Sequence, residues 1–207
     1  MDKGILVVIS GFSGAGKGTV IRKLLSESDE YCLSVSMTTR SPRPGEVDGR
    51  DYFFVTREKF EQTIAENGLI EHAEFVGNYY GTPRAYVEEK ISEGKNVILE
   101  IEIQGAMNIK RIYPESVLLF ITPPTAEELE RRLKGRGTET DDVIAGRLSR
   151  ASEESDGIGE YDYIIVNDDI DKCVADVCET IRSAKRKPER QKEYIEELRK
   201  GLEKYHR

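Results

Sequence analysis

Residues 5–9, Ile-Leu-Val-Val-Ile, run directly into a glycine-rich turn that ends on Gly16-Lys17, and an amphipathic stretch at 20–25 follows at once. A short apolar run bounded by turn signals reads as a buried strand. Glycines at 11, 14 and 16 let the backbone adopt left-handed conformations and let a ligand approach with no Cβ in the way. Strand, loop and helix in this register make a P-loop, in which loop amides and a helix N-terminus converge on a polyanion. Lys17 is placed to neutralise the β- and γ-phosphates of a nucleotide. The expected loop comprises Gly11, Phe12, Ser13, Gly14, Ala15, Gly16, Lys17, Gly18 and Thr19.

Further apolar runs at 97–103, 117–121 and 163–166 read as parallel strands, and helical patterns at 127–134 and 141–152 lie between them. That alternation predicts an α/β sheet with helices on both faces. Ligands on such sheets bind beyond the C-terminal strand ends, where the P-loop and Gln104-Gly105 would fall. Glu100 and Glu102 are read as the end of the second strand, with alternation placing both carboxylates on one face. Two segments interrupt the core. Residues 35–90, punctuated by Pro42, Pro44, Gly45, Gly49, Gly77 and Gly81, predict a small mixed lobe with strands. Residues 125–157 are charged and helical with glycines near their bends, the composition of a hinged flap. A helix at 171–184 precedes a tail in which Tyr194, Leu198, Leu202 and Tyr205 share one helical face. That face is expected to dock on the core, with a partner-binding or dimer helix as the sharper alternative.

At 207 residues and 38% hydrophobic, the chain can bury a core as one compact unit. A net charge of −8 disfavours nucleic acid and anionic membranes as partners. The N-terminal apolar run is too short for a signal peptide or a membrane span. Cys32, Cys173 and Cys178 lack metal-ligand spacing and read as reduced thiols in a cytoplasmic protein; His72 and His206 are isolated and argue for no zinc site.

The most specific signal lies downstream of the P-loop. Arg40 and Arg43 flank Pro42, with Tyr52 following, and two guanidinium forks with a phenol make a clamp for a phosphate dianion. Then come Glu71, the run Gly77-Asn78-Tyr79-Tyr80-Gly81-Thr82, Glu100-Ile-Glu102-Ile-Gln104-Gly105, Arg132, Gly-Arg-Gly-Thr-Glu-Thr at 135–140, Arg147 and Val-Asn-Asp-Asp at 166–169. From about residue 5 to 184 this order of motifs resembles the guanylate kinases, which phosphorylate GMP with ATP.

The resemblance implies an α/β P-loop kinase in three working parts. These are a parallel-sheet core (residues 1–34, 91–124 and 158–184), a small mixed α/β GMP-binding lobe (35–90) and a mostly helical lid (125–157), with a helical tail at 185–207. It implies that residues 11–19 bind ATP, with Asn167 and Asp168 at the adenine. Arg40, Arg43, Tyr52 and Tyr80 would hold the GMP phosphate, and Ser36, Glu71 and Thr82 would read the guanine. Glu46 and Glu100 fall on the GMP side, while Glu102 is assigned to Mg²⁺ through water. Lys17, Arg40, Arg132, Arg136 and Arg147 form the implied catalytic set. Gly18 stands where most P-loop enzymes carry a Mg²⁺-ligating hydroxyl, so Thr19 is expected to contact phosphate instead. The implied partners are ATP and GMP, with no nucleic acid or membrane, in a cytoplasmic monomer or homodimer. Two rival readings are a kinase for another phosphorylated ribose compound and a non-catalytic guanylate-kinase-like module. The guanine-reading set argues against the first, and Lys17 with the lid arginines against the second.

Overall fold

The computed structural model describes residues 3–135 and 140–205. Numbered along the chain, the first elements are β1 (Leu6–Gly11), α1 (Lys17–Glu27), β2 (Tyr31–Leu33), β3 (Met37–Thr38), β4 (Phe53–Phe54) and α2 (Arg57–Ala65). Next come β5 (Leu69–Phe75), β6 (Asn78–Pro83), α3 (Arg84–Ser92), β7 (Asn96–Glu100), α4 (Ile103–Ile112) and β8 (Val117–Thr122). The chain continues with α5 (Ala126–Lys134), α6 (Asp141–Ser155), β9 (Tyr163–Val166), α7 (Ile170–Lys185) and α8 (Lys192–Glu203).

The apolar run at the start of the chain becomes the central strand of a five-stranded parallel sheet in the order β2-β7-β1-β8-β9. Alternate residues of each strand serve opposite faces. Val7, Ile9, Leu119 and Ile121 pack with Val20 and Leu24 of α1 and Val174 and Val177 of α7. Leu6, Val8, Leu118 and Phe120 pack on the other side with Val87 of α3 and Ala106 and Ile109 of α4. With both faces covered, the strands need no polar alternation, which is why they appear as continuous apolar runs. Each such buried aliphatic side chain contributes roughly 1.5–3 kcal/mol.

A second sheet, β4-β3-β6-β5, carries the lobe. β6 runs antiparallel to both β3 and β5, and β3 pairs parallel with β4. The β5–β6 hairpin turns on Val76 and Gly77, at φ 48° and 72°. Positive φ at both central residues is the mirror-image turn whose twist matches that of the strands. Thr56 caps α2, its hydroxyl accepting from the Lys59 N–H at 3.2 Å, and the buried Phe60 ring stacks on Tyr79 at 5.3 Å. In the flap, Leu129 and Leu133 of α5 meet Ile144 and Ala151 of α6, and Phe12 of the P-loop packs against that cluster.

Two expectations need correction, and one strand, β2, leaves no sequence signal. The run at 97–103 is not one strand: β7 stops at Glu100, and α4 begins at Ile103. Pairing with β1 ends at Ile9↔Glu100, after which Ser10 Oγ donates to the Ile101 carbonyl at 2.7 Å and Glu102 O accepts from Ala106 N as the first helical bond. β2 is a three-residue strand with one buried side chain, too short to show periodicity. In α8 the shared face of Tyr194, Leu198, Leu202 and Tyr205 is 49–70% exposed rather than docked. Polar contacts hold the start of that helix instead: Gln191 Nε2 donates to Lys185 O at 2.8 Å, and Lys3 pairs with Glu193 at 3.3 Å.

Candidate active site

The P-loop forms where β1 can no longer remain a strand. Gly11 has φ 153°, and a Cβ there would sit 2.1 Å from the Ile121 carbonyl oxygen of β8. Gly14 and Gly16 have φ 95° and 93°, and Gly16 leads directly into α1. The Lys17 ammonium lies across the loop, donating to the Gly11 carbonyl at 2.6 Å and the Phe12 carbonyl at 3.4 Å. Thr19 Oγ1 accepts from Arg22 at 3.2 Å, and Gly18 lies beside the same guanidinium. The Phe12 ring meets Phe120 edge to face at 5.0 Å.

The flap closes against this loop. Arg147 Nη1 donates to Ser13 Oγ at 2.5 Å, and Arg132 Nη1 reaches the Ala15 carbonyl at 3.4 Å. Glu128, which accepts from Arg131 at 2.7 Å, steadies Arg132 by accepting from its Nε at 2.6 Å. Those two arginines hold the Glu128 carboxyl down at about 2. A Cβ on Gly14 would come within 2.8 Å of Leu133 Cδ2, so loop and flap are in direct apolar contact. Arg136 lies outside the described residues.

Asn167 has a role that the sequence did not signal. It is buried just past β9, and its Nδ2 donates to Ala15 O at 2.8 Å, bracing the P-loop from the far edge of the sheet. The same amide nitrogen would sit 2.5 Å from a Cβ on Gly16. Asp168 is exposed and lines a groove of about 670 Å³ with Pro124 and Lys172.

The lobe assembles the second half of the site. Arg40 follows β3, where the buried Thr38 hydroxyl accepts from the Arg40 N–H at 3.2 Å and donates to Tyr79 O at 2.9 Å. The Arg40 guanidinium lies 5.3 Å from the Tyr52 ring centroid, and the Tyr52 and Tyr80 rings meet at 6.1 Å, so Arg40, Tyr52 and Tyr80 form one group. Glu46 bonds to both Arg40 and the Arg43 backbone; the Arg43 side chain is exposed. Ser36, half-buried, accepts from Phe53 N through its carbonyl at 2.8 Å. Across the β5–β6 pair, Thr82 Oγ1 donates to Glu71 Oε1 at 2.7 Å, with Thr82 only 1% exposed. Burial pushes the Glu71 carboxyl up from its ordinary value. A carboxylate tolerated here has strong polar work to do, because desolvating it without a partner is costly.

The two strand-end carboxylates part company. Glu100 ends β7 and is exposed, while Glu102 caps α4 and accepts from Arg150 of α6 at 2.7 Å. Alternation fails because the chain leaves the sheet between them. Sequence alone does not mark Thr38, Glu128 or Arg150 as part of the site; the Thr-Thr-Arg run at 38–40 is the available signal for the first.

Comparison with known proteins gives the family. The family model for guanylate kinase matches residues 3–184. The guanylate kinase of Bacillus cereus (strain ZK / E33L) is 49% identical over 201 residues, 97% of this chain and 98% of the relative. That alignment takes in most of the tail. The guanylate kinase of Streptococcus thermophilus (strain CNRZ 1066) is 55% identical over 170 residues, 82% of this chain and 81% of the relative. Among solved structures, guanylate kinase from Anaplasma phagocytophilum superposes with a TM-score of 0.68 at 37% identity, covering 90% of this chain and 89% of that one. The P-loop, the arginine–tyrosine group and the half-buried Glu71–Thr82 pair therefore sit in a chain that belongs to the guanylate kinase family.

Proposed function

We propose that the chain transfers the γ-phosphoryl group of ATP to GMP, with the P-loop as donor site, residues 35–90 as acceptor lobe and 125–157 as lid. A GMP phosphate oxygen attacks the γ-phosphorus, the bond to the β–γ bridging oxygen breaks, and ADP and GDP result. The observation that carries this reading is the Glu71–Thr82 pair at 2.7 Å. Guanine offers N1–H and N2–H₂ as adjacent donors, and a half-buried carboxylate accepts both, whereas adenine presents an acceptor at N1. Thr82 holds that carboxylate in place, and Ser36 lies in the same lobe to complete base recognition.

Arg40, Arg43, Tyr52 and Tyr80 immobilise the acceptor phosphate for in-line attack. Lys17, Arg132 and Arg147 converge on the loop that cradles the donor, where positive charge stabilises the equatorial oxygens of the transferring group. No strong general base is needed, since the attacking oxygen is already anionic. Among the described residues, no three His, Cys, Asp or Glu side chains cluster as a metal cage. The P-loop fits Mg²⁺ carried on the ATP phosphates, with Glu102 as the carboxylate that would reach its water shell and Glu100 on the GMP side. Bound there, Mg²⁺ supplies neutralisation of the β- and γ-oxygens. We further infer a cytoplasmic setting and a monomer or homodimer; among the described residues no helix is long and apolar enough to cross a membrane.

A coupled assay of ADP release tests the reading. ADP formation should depend on GMP and be weak with AMP. A chain that binds GMP by calorimetry yet releases no ADP would be a binding module instead.

A further inference from the structure

Glu46 stands beside two arginines that hold a phosphate in the reading above, where a second anion should repel the ligand. It is nonetheless closely engaged. Its Oε1 accepts from Arg40 Nη2 at 2.9 Å, and its Oε2 accepts from Arg40 Nη1 at 3.0 Å and from the Arg43 backbone N–H at 2.7 Å. The two side chains are only 15% and 21% exposed. Arg40 Nη1 gives its other hydrogen to the Ser41 carbonyl at 2.8 Å.

A guanidinium carries five N–H donors in a rigid plane. These bonds fill the outer edge of Arg40 and both hydrogens of Nη1, so the edge formed by Nε–H and the second Nη2–H is what remains for a ligand, with the Tyr80 hydroxyl also engaging the guanidinium. That remaining edge is a parallel fork, the geometry that takes two phosphate oxygens at once. The Tyr52 and Phe54 rings lie 5.3 and 5.7 Å from the guanidinium carbon and restrict its tilt. The Arg40 guanidinium and the Arg43 amide keep the Glu46 carboxyl below the ordinary carboxylate range, so the pair stays ionised near neutrality.

We propose that Glu46 is a positioning residue for the acceptor phosphate: it does not touch GMP, but orients Arg40 so that its remaining edge, beside Tyr80, meets the phosphate, and it ties the Arg43 backbone into the same frame. Glu46 has this role only if Arg40 holds the phosphate, as proposed above. In effect Glu46 balances the charge of Arg40, so Arg40 recognises the phosphate through hydrogen-bond geometry and Arg43 supplies the net positive charge.

The test compares KM for GMP, kcat, and inhibition by guanosine, which lacks the phosphate, in the parent, Glu46→Ala, Glu46→Gln, Arg40→Ala and the Arg40→Ala/Glu46→Ala double variant. Glu46→Ala should raise KM for GMP roughly 10- to 100-fold, the scale of a misplaced binding group. Guanosine inhibition and KM for ATP should stay within about twofold, because the change removes binding at the phosphate alone. Glu46→Gln, which keeps one acceptor oxygen, should fall between, and it carries the test if the alanine variant fails to fold. The double variant should be no worse than Arg40→Ala, since residues acting through one another are not additive. Tighter GMP binding in Glu46→Ala would make Glu46 a competitor of the phosphate. An equal loss of guanosine affinity would make it a nucleoside contact or a prop of the whole lobe, and additive losses would make it independent of Arg40. Any of these overturns the inference. If Arg40→Ala leaves GMP binding intact, the phosphate clamp itself is wrong; if Arg40→Ala weakens GMP and neither Glu46 variant does, only the role of Glu46 is wrong.

Discussion

Replacing Glu71 by Gln isolates base selection, because the two side chains share shape and differ in one acceptor and the charge. The Glu71 carboxylate already accepts from Thr82 at 2.7 Å, leaving Oε2 and one lone pair of Oε1 for the guanine N1–H and N2–H₂. Gln removes the charge from one of these bonds and sets a donor against a donor in the other. Hydrogen bonds to charged groups contribute roughly 1.5–3 kcal/mol each, so the two together come to about 3–6 kcal/mol. At about 1.4 kcal/mol per decade, kcat/KM for GMP should fall roughly 10²- to 10⁴-fold. IMP has N1–H without the N2 amine and loses only one bond, so its kcat/KM should fall about 10- to 100-fold. AMP should be unaffected or improved. Burial raises the Glu71 carboxyl, so the folded chain binds this proton more tightly than the unfolded one. The ionised form therefore destabilises the fold at neutral pH, a cost that fades as pH falls through the raised value. Glu71→Gln should accordingly melt at or above the parent at pH 7. In the parent, kcat/KM for GMP should fall as pH drops through a value above the ordinary carboxylate range, and the variant should lack that limb. The assays are kcat/KM for the three nucleotides across pH and a melting curve. Equal proportional losses on GMP, IMP and AMP, accompanied by a lower melting temperature, would show Glu71 to be structural and refute the assignment.

Lys17→Ala should abolish phosphoryl transfer while calorimetry still shows GMP binding, since the lysine bonds to the P-loop and Arg40 belongs to the other lobe; loss of GMP affinity in a folded variant would contradict separate sites. Asn167→Ala should lower stability by about 1–3 kcal/mol, because it removes the shorter of the two side-chain hydrogen bonds to the Ala15 carbonyl and leaves only the 3.4 Å contact from Arg132. The same variant should raise KM for ATP more than KM for GMP, and an unchanged ATP constant would confine Asn167 to stability. Stopping the chain after Gln191 should leave kcat/KM unchanged and move the melting temperature by less than about 4 °C, the effect of roughly 1 kcal/mol in a domain of this size. A larger drop, read by calorimetry, would mean that the exposed face of α8 is covered in solution.

The features legible in the sequence are those governed by neighbours along the chain. Glycines 11, 14 and 16 announced the loop because only a residue without a Cβ accepts those dihedrals, and the structure supplies a concrete reason at Gly11, which faces the Ile121 carbonyl. The apolar runs announced a sheet covered on both faces. The turn-rich composition of 35–90 announced a lobe with strands, although the two-residue strands β3 and β4 are below the length at which periodicity speaks. The 97–103 run misled because hydrophobicity continues across a strand-to-helix junction; the end of β7 depends on where its neighbour β1 turns away.

Local chemistry in the sequence determined the P-loop, the parallel core and the candidate arginines, tyrosines and carboxylates, since strand period, glycine dihedrals and capping act within a few residues. Only the tertiary structure decided how those side chains are engaged. Asn167 braces a carbonyl contributed by Ala15, Arg147 reaches Ser13, and Thr82 fixes Glu71 across a hairpin. Glu102 answers to Arg150 on α6, and the apolar face of α8 turns to solvent. Each of these depends on which elements the packed core brings side by side, and no short-range rule carries that information.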